Sequence, residues 1–135
     1  ETSTVLDLFS GTGSISYEFA SRGVQNITAV DQNNSCIALI TKTAEELALP
    51  ITTIKSPDLG VLEKTPSSYT FIFADPPYAF ITDEYSVLVD TVFNKNILEK
   101  NGLLIVEHAE QINLSELKRF SHARNYGGCV FSFFE

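Results

Sequence analysis

The chain has 135 residues, of which 44% are hydrophobic. This length and composition suit one domain over residues 1–135 with a sizeable core, and they exclude a disordered segment. The formal charge of −8, from 9 basic and 17 acidic residues, argues against a protein that holds nucleic acid through a basic surface of its own.

The first half of the chain alternates apolar runs, which predict strands, with stretches of helical spacing. In chain order the predicted elements are strand Val5–Phe9, helix Ser14–Arg22, strand Ile27–Val30, helix Ser35–Leu49, strand Ile51–Ile54 and a short helical turn at Asp58–Lys64. Gly23 and Pro50 stop the first two helices. Asp7, Asp31 and Asp58 fall inside or just beyond the strand ends.

The second half continues the alternation and then changes. The predicted elements are strand Thr70–Ala74, helix Glu84–Leu98, strand Leu103–Val106 after an Asn101-Gly102 turn, helix Leu114–Phe120, and a hairpin of Ala123–Tyr126 with Cys129–Phe134 around Gly127-Gly128. This order predicts an α/β, Rossmann-like fold. Its central sheet is mostly parallel, with helices on both faces and a C-terminal antiparallel β-hairpin.

Several features limit the chemistry. Cys36 and Cys129 are the only cysteines, and His108 and His122 stand alone, so no cluster has the spacing of a zinc site. We expect no metal and two buried, reduced thiols in a cytoplasmic protein. There is no apolar run long enough to cross a membrane and no Gly-Lys-Ser/Thr of a P-loop.

The most informative stretch is Asp75-Pro76-Pro77-Tyr78, directly after an apolar strand. Two prolines cannot continue a sheet ladder, so the chain opens into a loop at that strand end. The loop presents a carboxylate, a carbonyl and an aromatic ring, which together can grip a flat ring that carries an NH2 group. Taken alone, such a tetrapeptide is also an ordinary rigid turn.

A strand running into a glycine loop forms a second motif, at Val5–Gly13. Gly11 and Gly13 lack a Cβ, so a ligand can approach the backbone closely. Asp31 follows Gly11 by 20 positions, where an acid after the second strand takes ribose hydroxyls. A nicotinamide dinucleotide would use the same acid. However, the loop lacks the third glycine of that fingerprint, and nothing later resembles a hydride-transfer site.

Five segments carry a family resemblance: Val5–Ser14, Ser21–Gly23, Phe71–Tyr78, Gly102–His108 and Tyr126–Gly128. Together they resemble the class I S-adenosylmethionine-dependent methyltransferases, and within them the small-subunit ribosomal RNA guanine-N(2)-methyltransferases. The similarity extends over nearly the whole chain. The family's N-terminal lead-in has no counterpart, so we expect an N-terminally truncated piece.

The resemblance implies S-adenosyl-L-methionine as cofactor, held by Asp7, Phe9, Gly11, Gly13, Asp31, Gln32, Asp58, Leu59 and Asp75. Within that set, Asp7 would bind the ammonium and Asp58 the adenine amino group, with Gln32 and Leu59 beside the adenine. The implied catalytic residues are Asp75, Pro76 and Tyr78, and the implied substrate-binding residues are Pro77 and Tyr78.

In the implied reaction, Asp75 and the Pro76 carbonyl accept hydrogen bonds from the two N–H groups of a guanine amine, while Tyr78 stacks on the extruded base. The partner would be ribosomal RNA or a small-subunit assembly particle, with no membrane and no metal, and the protein a monomer. Three alternatives remain open. They are an adenine-N(6) or protein-amide methyltransferase, a non-catalytic cofactor- or RNA-binding module, and, least favoured, an NAD-dependent oxidoreductase.

Overall fold

The computed structural model describes residues 3–56, 60–64, 68–77 and 79–135. The strands are β1 Thr4–Leu8, β2 Asn26–Asp31, β3 Ile51–Lys55, β4 Tyr69–Ala74, β5 Leu98–Ala109, β6 Phe120–Tyr126 and β7 Cys129–Phe134. The helices are α1 Ser14–Ser21, α2 Asn34–Leu47, α3 Gly60–Lys64 and α4 Thr82–Asn94.

The strands form one sheet in the order β3-β2-β1-β4-β5-β7-β6. Strands β1 to β5 pair in parallel, whereas β7 runs antiparallel between β5 and β6. The predicted architecture, a mostly parallel sheet with a C-terminal antiparallel hairpin, is therefore confirmed. Strand order reverses between β1 and β4, so the loops after these two strands diverge and leave a crevice between them.

Helices cover both faces of the sheet. On one face, Phe19 of α1 packs against Phe71 of β4 with ring centroids 5.9 Å apart. On the other face, α3 and α4 bury a larger core against the central strands. Members of that core with at most 2% exposure include Leu6, Ile72 and Leu104 from the sheet and Leu62 and Leu88 from the helices. Burial on both faces explains why these strands read as continuous apolar runs.

Helix α2 follows from local chemistry. The Asn33 Oδ1 atom accepts a hydrogen bond from the Cys36 backbone N–H at 3.0 Å and so caps the N-terminus. Ala48 adopts a left-handed conformation with φ 53° at the C-terminal end, and Pro50 follows. The helix is therefore Asn34–Leu47, close to the predicted Ser35–Leu49.

The predicted boundary between α4 and β5 is wrong. The helix ends at Asn94, and Asn96 turns the chain with φ 55°. The strand then begins at Leu98 instead of Leu103. Asn101-Gly102 does not end a turn but forms an irregularity within β5, where the register changes between the Tyr69 and Phe71 pairings.

The predicted helix at Leu114–Phe120 is also wrong, because residues 115–119 form turns and Phe120 begins β6. Asn113 Oδ1 accepts bonds from the backbone N–H and the hydroxyl of Ser115 at 2.9 Å and 2.7 Å. This side-chain turn competes with helical bonding. Arg119 then adopts φ 73°, which no helix interior allows.

Among the residues that the structure describes, no helix combines the length and the apolarity needed to span a bilayer.

Candidate active site

The carboxyl ends of β1, β2, β3 and β4 surround a cavity of about 900 Å³. This is the crevice expected where strand order reverses. Its volume lies within the range of small-molecule and cofactor sites. The lining includes residues from the loops after these strands and from α4, among them Phe9, Gly11, Asp31, Gln32, Ser56, Asp75, Pro77, Phe80, Asp83 and Glu84.

The loop after β1 is shaped by backbone conformations that favour glycine. Gly11 has φ 56° and Gly13 has φ 93°. A Cβ on Gly13 would lie 2.9 Å from the Tyr17 ring, so the loop needs glycine there. A Cβ on Gly11 would meet nothing within 4 Å, because this glycine faces the open cavity. The loop therefore exposes backbone where a ligand can approach it.

Asp31 ties this loop to the end of β2. Its Oδ2 atom accepts from the Gly11 N–H at 2.8 Å, and its Oδ1 atom accepts from the Asn33 N–H at 2.9 Å. Each carboxylate oxygen has a second lone pair, so both bonds leave capacity for ligand hydroxyls. Asp31 thus positions the glycine loop and also lines the cavity, whereas the sequence suggested only the ligand role.

Asp7 lies inside the protein and is 1% exposed. The Ser16 hydroxyl donates to its Oδ2 atom at 2.7 Å. Burial raises the pKa of Asp7 to about 7, the Ser16 bonds oppose that rise, and the nearby Asp75 and Asp31 add to it. A carboxyl group with this pKa changes charge near neutral pH beneath the glycine loop.

Asp75 stands at the rim of the cavity at the end of β4. Asp75 is exposed to solvent, but the surrounding protein removes part of the hydration of its carboxyl group. This desolvation, followed by the negative charge of Glu107, raises the pKa of Asp75 to about 6. Carboxyl groups with raised pKa values in a cleft are typical of functional sites.

The loop after Asp75 is ordered by one backbone bond and two ring contacts. The Phe80 N–H donates to the Pro77 carbonyl at 2.9 Å. The Phe80 ring packs edge-on against Phe9 and Tyr85 at centroid distances of 5.5 Å and 5.2 Å. Pro76 is buried. Within the described part of the chain, its carbonyl accepts no backbone bond and remains available to a ligand.

Sequence reasoning missed a polar group on the other side of Asp75. Glu107 lies near the carboxyl end of β5, and the Cys129 thiol donates to its Oε2 atom at 2.8 Å across the β5–β7 pair. Cys36 and Cys129 are free and half-buried, where full burial was predicted. The available signal was that Glu107 directly follows the predicted strand Leu103–Val106, because the carboxyl ends of parallel strands meet at one edge of a sheet.

The predicted site residues divide into three groups. Those that line the cavity are Phe9, Gly11, Asp31, Gln32, Asp75 and Pro77. Asp7, Gly13 and Pro76 are buried beside it. Asp58, Leu59 and Tyr78 lie outside the described residues, although Ser56 and Gly60, on either side of the first two, line the cavity. The individual roles of all these residues stay predictions.

The family model described as conserved hypothetical protein 95 matches residues 1–135. Ribosomal RNA small subunit methyltransferase D of Buchnera aphidicola is 29% identical over 109 residues, which cover 80% of this chain and 55% of that protein. YlbH of Bacillus subtilis, named as a candidate rRNA methyltransferase, is 27% identical over 116 residues, which cover 82% of this chain and 62% of that protein. The chain thus spans 55% to 62% of the length of these curated relatives.

Solved structures share the fold. A conserved hypothetical protein of Streptococcus pyogenes superposes with a TM-score of 0.88 at 23% identity, over 99% of this chain and 86% of that one. The tRNA (uracil-54, C5)-methyltransferase of Pyrococcus abyssi, in complex with S-adenosyl-L-homocysteine, gives a TM-score of 0.73 at 18% identity, over 100% of this chain and 35% of that one. The predicted fold class is therefore confirmed.

Proposed function

Because the chain belongs to the conserved hypothetical protein 95 family, we propose that it binds S-adenosylmethionine and methylates an exocyclic amine of a ribosomal RNA base. One observation carries the proposal. Asp75 borders the cavity between β1 and β4. This position supports a contact between its carboxyl group and the amine of a base beside a bound cofactor. The relatives in Buchnera aphidicola and Bacillus subtilis carry rRNA methyltransferase names, which support the substrate class.

The cavity suits this cofactor. Gly11 leaves it open toward the backbone, and Asp31 and Gln32 supply polar atoms for ribose hydroxyls. The Ser10 hydroxyl in the same loop is buried without a partner among the described residues, so a polar ligand could satisfy it. Acidic residues suit a cofactor that carries an ammonium and no phosphate.

When bound, S-adenosylmethionine supplies a methyl group on a positively charged sulfur. The chain's own residues position the acceptor. The Asp75 carboxylate and the Pro76 carbonyl each accept a hydrogen bond from one N–H group of the amine. These two bonds fix the direction of the nitrogen lone pair. Ionised Asp75 also stabilises the positive charge that develops on the amine nitrogen, and it can take the proton which that nitrogen loses. The proposed role of Tyr78 is to stack on the base.

Within this proposal, guanine N2 is the amine that the sequence resemblance favours, and adenine N6 is the competing one. A monomer in the cytoplasm, acting on naked rRNA or on a small-subunit assembly particle, completes the proposal. The net charge of −8 favours the particle as substrate, because an acidic chain gains little affinity from RNA phosphates. In the particle, ribosomal proteins can supply protein–protein contacts instead.

The test is direct. The protein is incubated with S-adenosylmethionine labelled in its methyl group, together with naked small-subunit rRNA and, separately, small-subunit particles from cells that lack the enzyme. The labelled nucleotide is then mapped. We expect label on one guanine amine. Label on an adenine amine would replace the base assignment, and absence of label from both substrates would contradict the proposal.

A further inference from the structure

Glu107 and Asp75 are neighbours near the carboxyl ends of the adjacent strands β5 and β4. Ala74, the last residue of β4, pairs with Val106 of β5, so the residues that follow this pair along the chain are Asp75 and Glu107. The influence of the Glu107 charge on Asp75 agrees with this closeness. Glu107 is not among the residues that line the cavity, and its strand β5 lies on the side of β4 opposite to β1.

The Cys129 thiol holds one oxygen of Glu107. Cys129 Sγ donates to Glu107 Oε2 at 2.8 Å. Burial, the bond to Glu107 and the nearby negative charges raise the pKa of Cys129 to about 12, so the thiol remains a protonated donor. Among the described residues no donor reaches Oε1 of Glu107. The carboxylate is thus oriented through one oxygen, and the other is left to accept a bond from a ligand.

Aromatic rings adjoin this carboxylate. Phe131 of β7 lies directly opposite Glu107 in the β5–β7 pair. Tyr126 of β6 packs edge-on against Phe131 at 5.4 Å and is 58% exposed. The exposed Tyr126 ring and the half-buried Phe131 ring can provide a stacking surface for a flat base. The surroundings of Glu107 therefore favour a heteroaromatic ring over an extended or aliphatic ligand.

The pair of acceptors distinguishes the two candidate bases. Guanine presents the N1–H donor next to its exocyclic amine, whereas adenine presents the N1 acceptor next to its amine. Two neighbouring carboxylates can accept from the amine and from N1–H of guanine. Against adenine, the second carboxylate would face a ring nitrogen lone pair without a proton between them, and such an unpaired contact is costly.

We infer that Glu107 is a specificity-determining residue, which accepts the N1–H of the guanine whose exocyclic amine Asp75 holds. The inference rests on the proposed function and deepens it. The site itself is given by the cavity and the Asp75-Pro76-Pro77 loop; Glu107 adds the choice between bases. This role also accounts for the hydrogen bond from the Cys129 thiol, since a side chain that recognises a base must be held in one orientation.

The test uses an analogue that keeps the amine and removes the proton. After the modified guanine has been mapped, small-subunit RNA is prepared with either guanine or 2-aminopurine at that nucleotide. 2-Aminopurine retains the C2 amine and has an unprotonated N1. For the unaltered protein we expect kcat/KM to be roughly 10- to 100-fold higher on guanine, the range for a lost charge-assisted bond. Equal rates on the two substrates would overturn the inference without involving any variant.

Glu107→Gln supplies the matching change on the protein. Its amide can donate to the free N1 of 2-aminopurine, so the preference for guanine should shrink to near unity or invert. Glu110→Gln, a nearby acid bonded to Asn125 instead, is the control and should keep the preference of the unaltered protein. If Glu107→Gln slows both substrates equally, Glu107 is structural and the inference fails while guanine methylation stands. Failure of the unaltered protein to methylate guanine would overturn both.

Discussion

The carboxyl group of Asp75 borders the cavity on one side and lies near Glu107 on the other. Because Asp75 is proposed to contact the acceptor amine, the substitution Asp75→Ala should lower kcat by roughly 10²- to 10⁴-fold. Affinity for S-adenosylmethionine, measured by calorimetry, should change little. A variant that retains most of its kcat would remove Asp75 from the reaction, and a variant that loses cofactor binding would reassign it to the cofactor.

The acceptor role also sets a pH dependence. Only ionised Asp75 can accept a charge-assisted hydrogen bond from the amine and take the proton that the nitrogen loses, and its pKa is raised to about 6. We therefore expect kcat/KM to fall as pH drops through about 6, well above the 3.8 of an ordinary aspartate. Four titratable groups interact electrostatically with Asp75, namely Asp7, Tyr85, Glu107 and Cys129.

Glu107→Gln provides the control for that profile. It removes the negative charge that is the second cause of the raised pKa, so the acidic limb should move to lower pH. A limb that stays in place would mean that another group, such as Asp7 with its pKa of about 7, controls the profile.

Asp31 has a double role, because it holds the Gly11 N–H and also lines the cavity. Asp31→Ala should weaken S-adenosylmethionine binding by roughly 1–3 kcal/mol, measured by calorimetry. Asp31→Asn keeps one carbonyl oxygen as acceptor and should lose less. NAD is the control ligand, and NAD binding as tight as that of S-adenosylmethionine would contradict the methyltransferase assignment.

At the scale of elements, the start of α2 depends on one side chain. Asn33→Ala removes the acceptor for the Cys36 N–H and should lower the free energy of unfolding by about 1 kcal/mol, measured by urea denaturation. Asn33→Ser restores a cap and should recover most of that loss. Equal stability of all three proteins would show that the cap contributes nothing in this fold.

The elements that the sequence predicts well are those buried on both faces. The predicted bounds of β1 and β4 agree with the structure to within one residue, because short apolar runs bounded by turn signals, such as Thr70–Ala74, are typical of strands that are buried on both faces. The errors lie where local bonds compete. At Leu114–Phe120 the Asn113 side chain outcompetes helical bonding, and at Asn101-Gly102 a turn signal produces an irregular strand.

The site was predictable to the same extent. Gly11, Asp31 and Asp75 could be placed together because parallel strand ends share one edge of the sheet. The bond between Glu107 and Cys129 could not, because it joins residues 22 positions apart through the pairing of β5 with β7. Sequence patterns predict that a hairpin exists, but they do not say which strand it pairs with or in which register.

At the scale of the whole molecule, the charge of −8 limits how the protein meets RNA. Few phosphate contacts mean weak binding to naked RNA at physiological salt and a shallow dependence of affinity on salt. Filter binding between 50 and 200 mM salt tests this, because each phosphate contact should change the RNA affinity roughly threefold over that range. Tight binding with a steep slope would contradict it, and stronger retention on ribosomal particles would support an assembled substrate.

Strand β7 follows β6 in the chain yet lies between β5 and β6 in the sheet. During synthesis β6 therefore leaves the ribosome before the only strand it pairs with here has been made. The edge of β5 stays open until Cys129–Phe134 arrives, and that strand also brings the fully buried Phe134 into the core. A nascent chain arrested before residue 129 presents an unpaired sheet edge, which makes it a target for chaperones or aggregation.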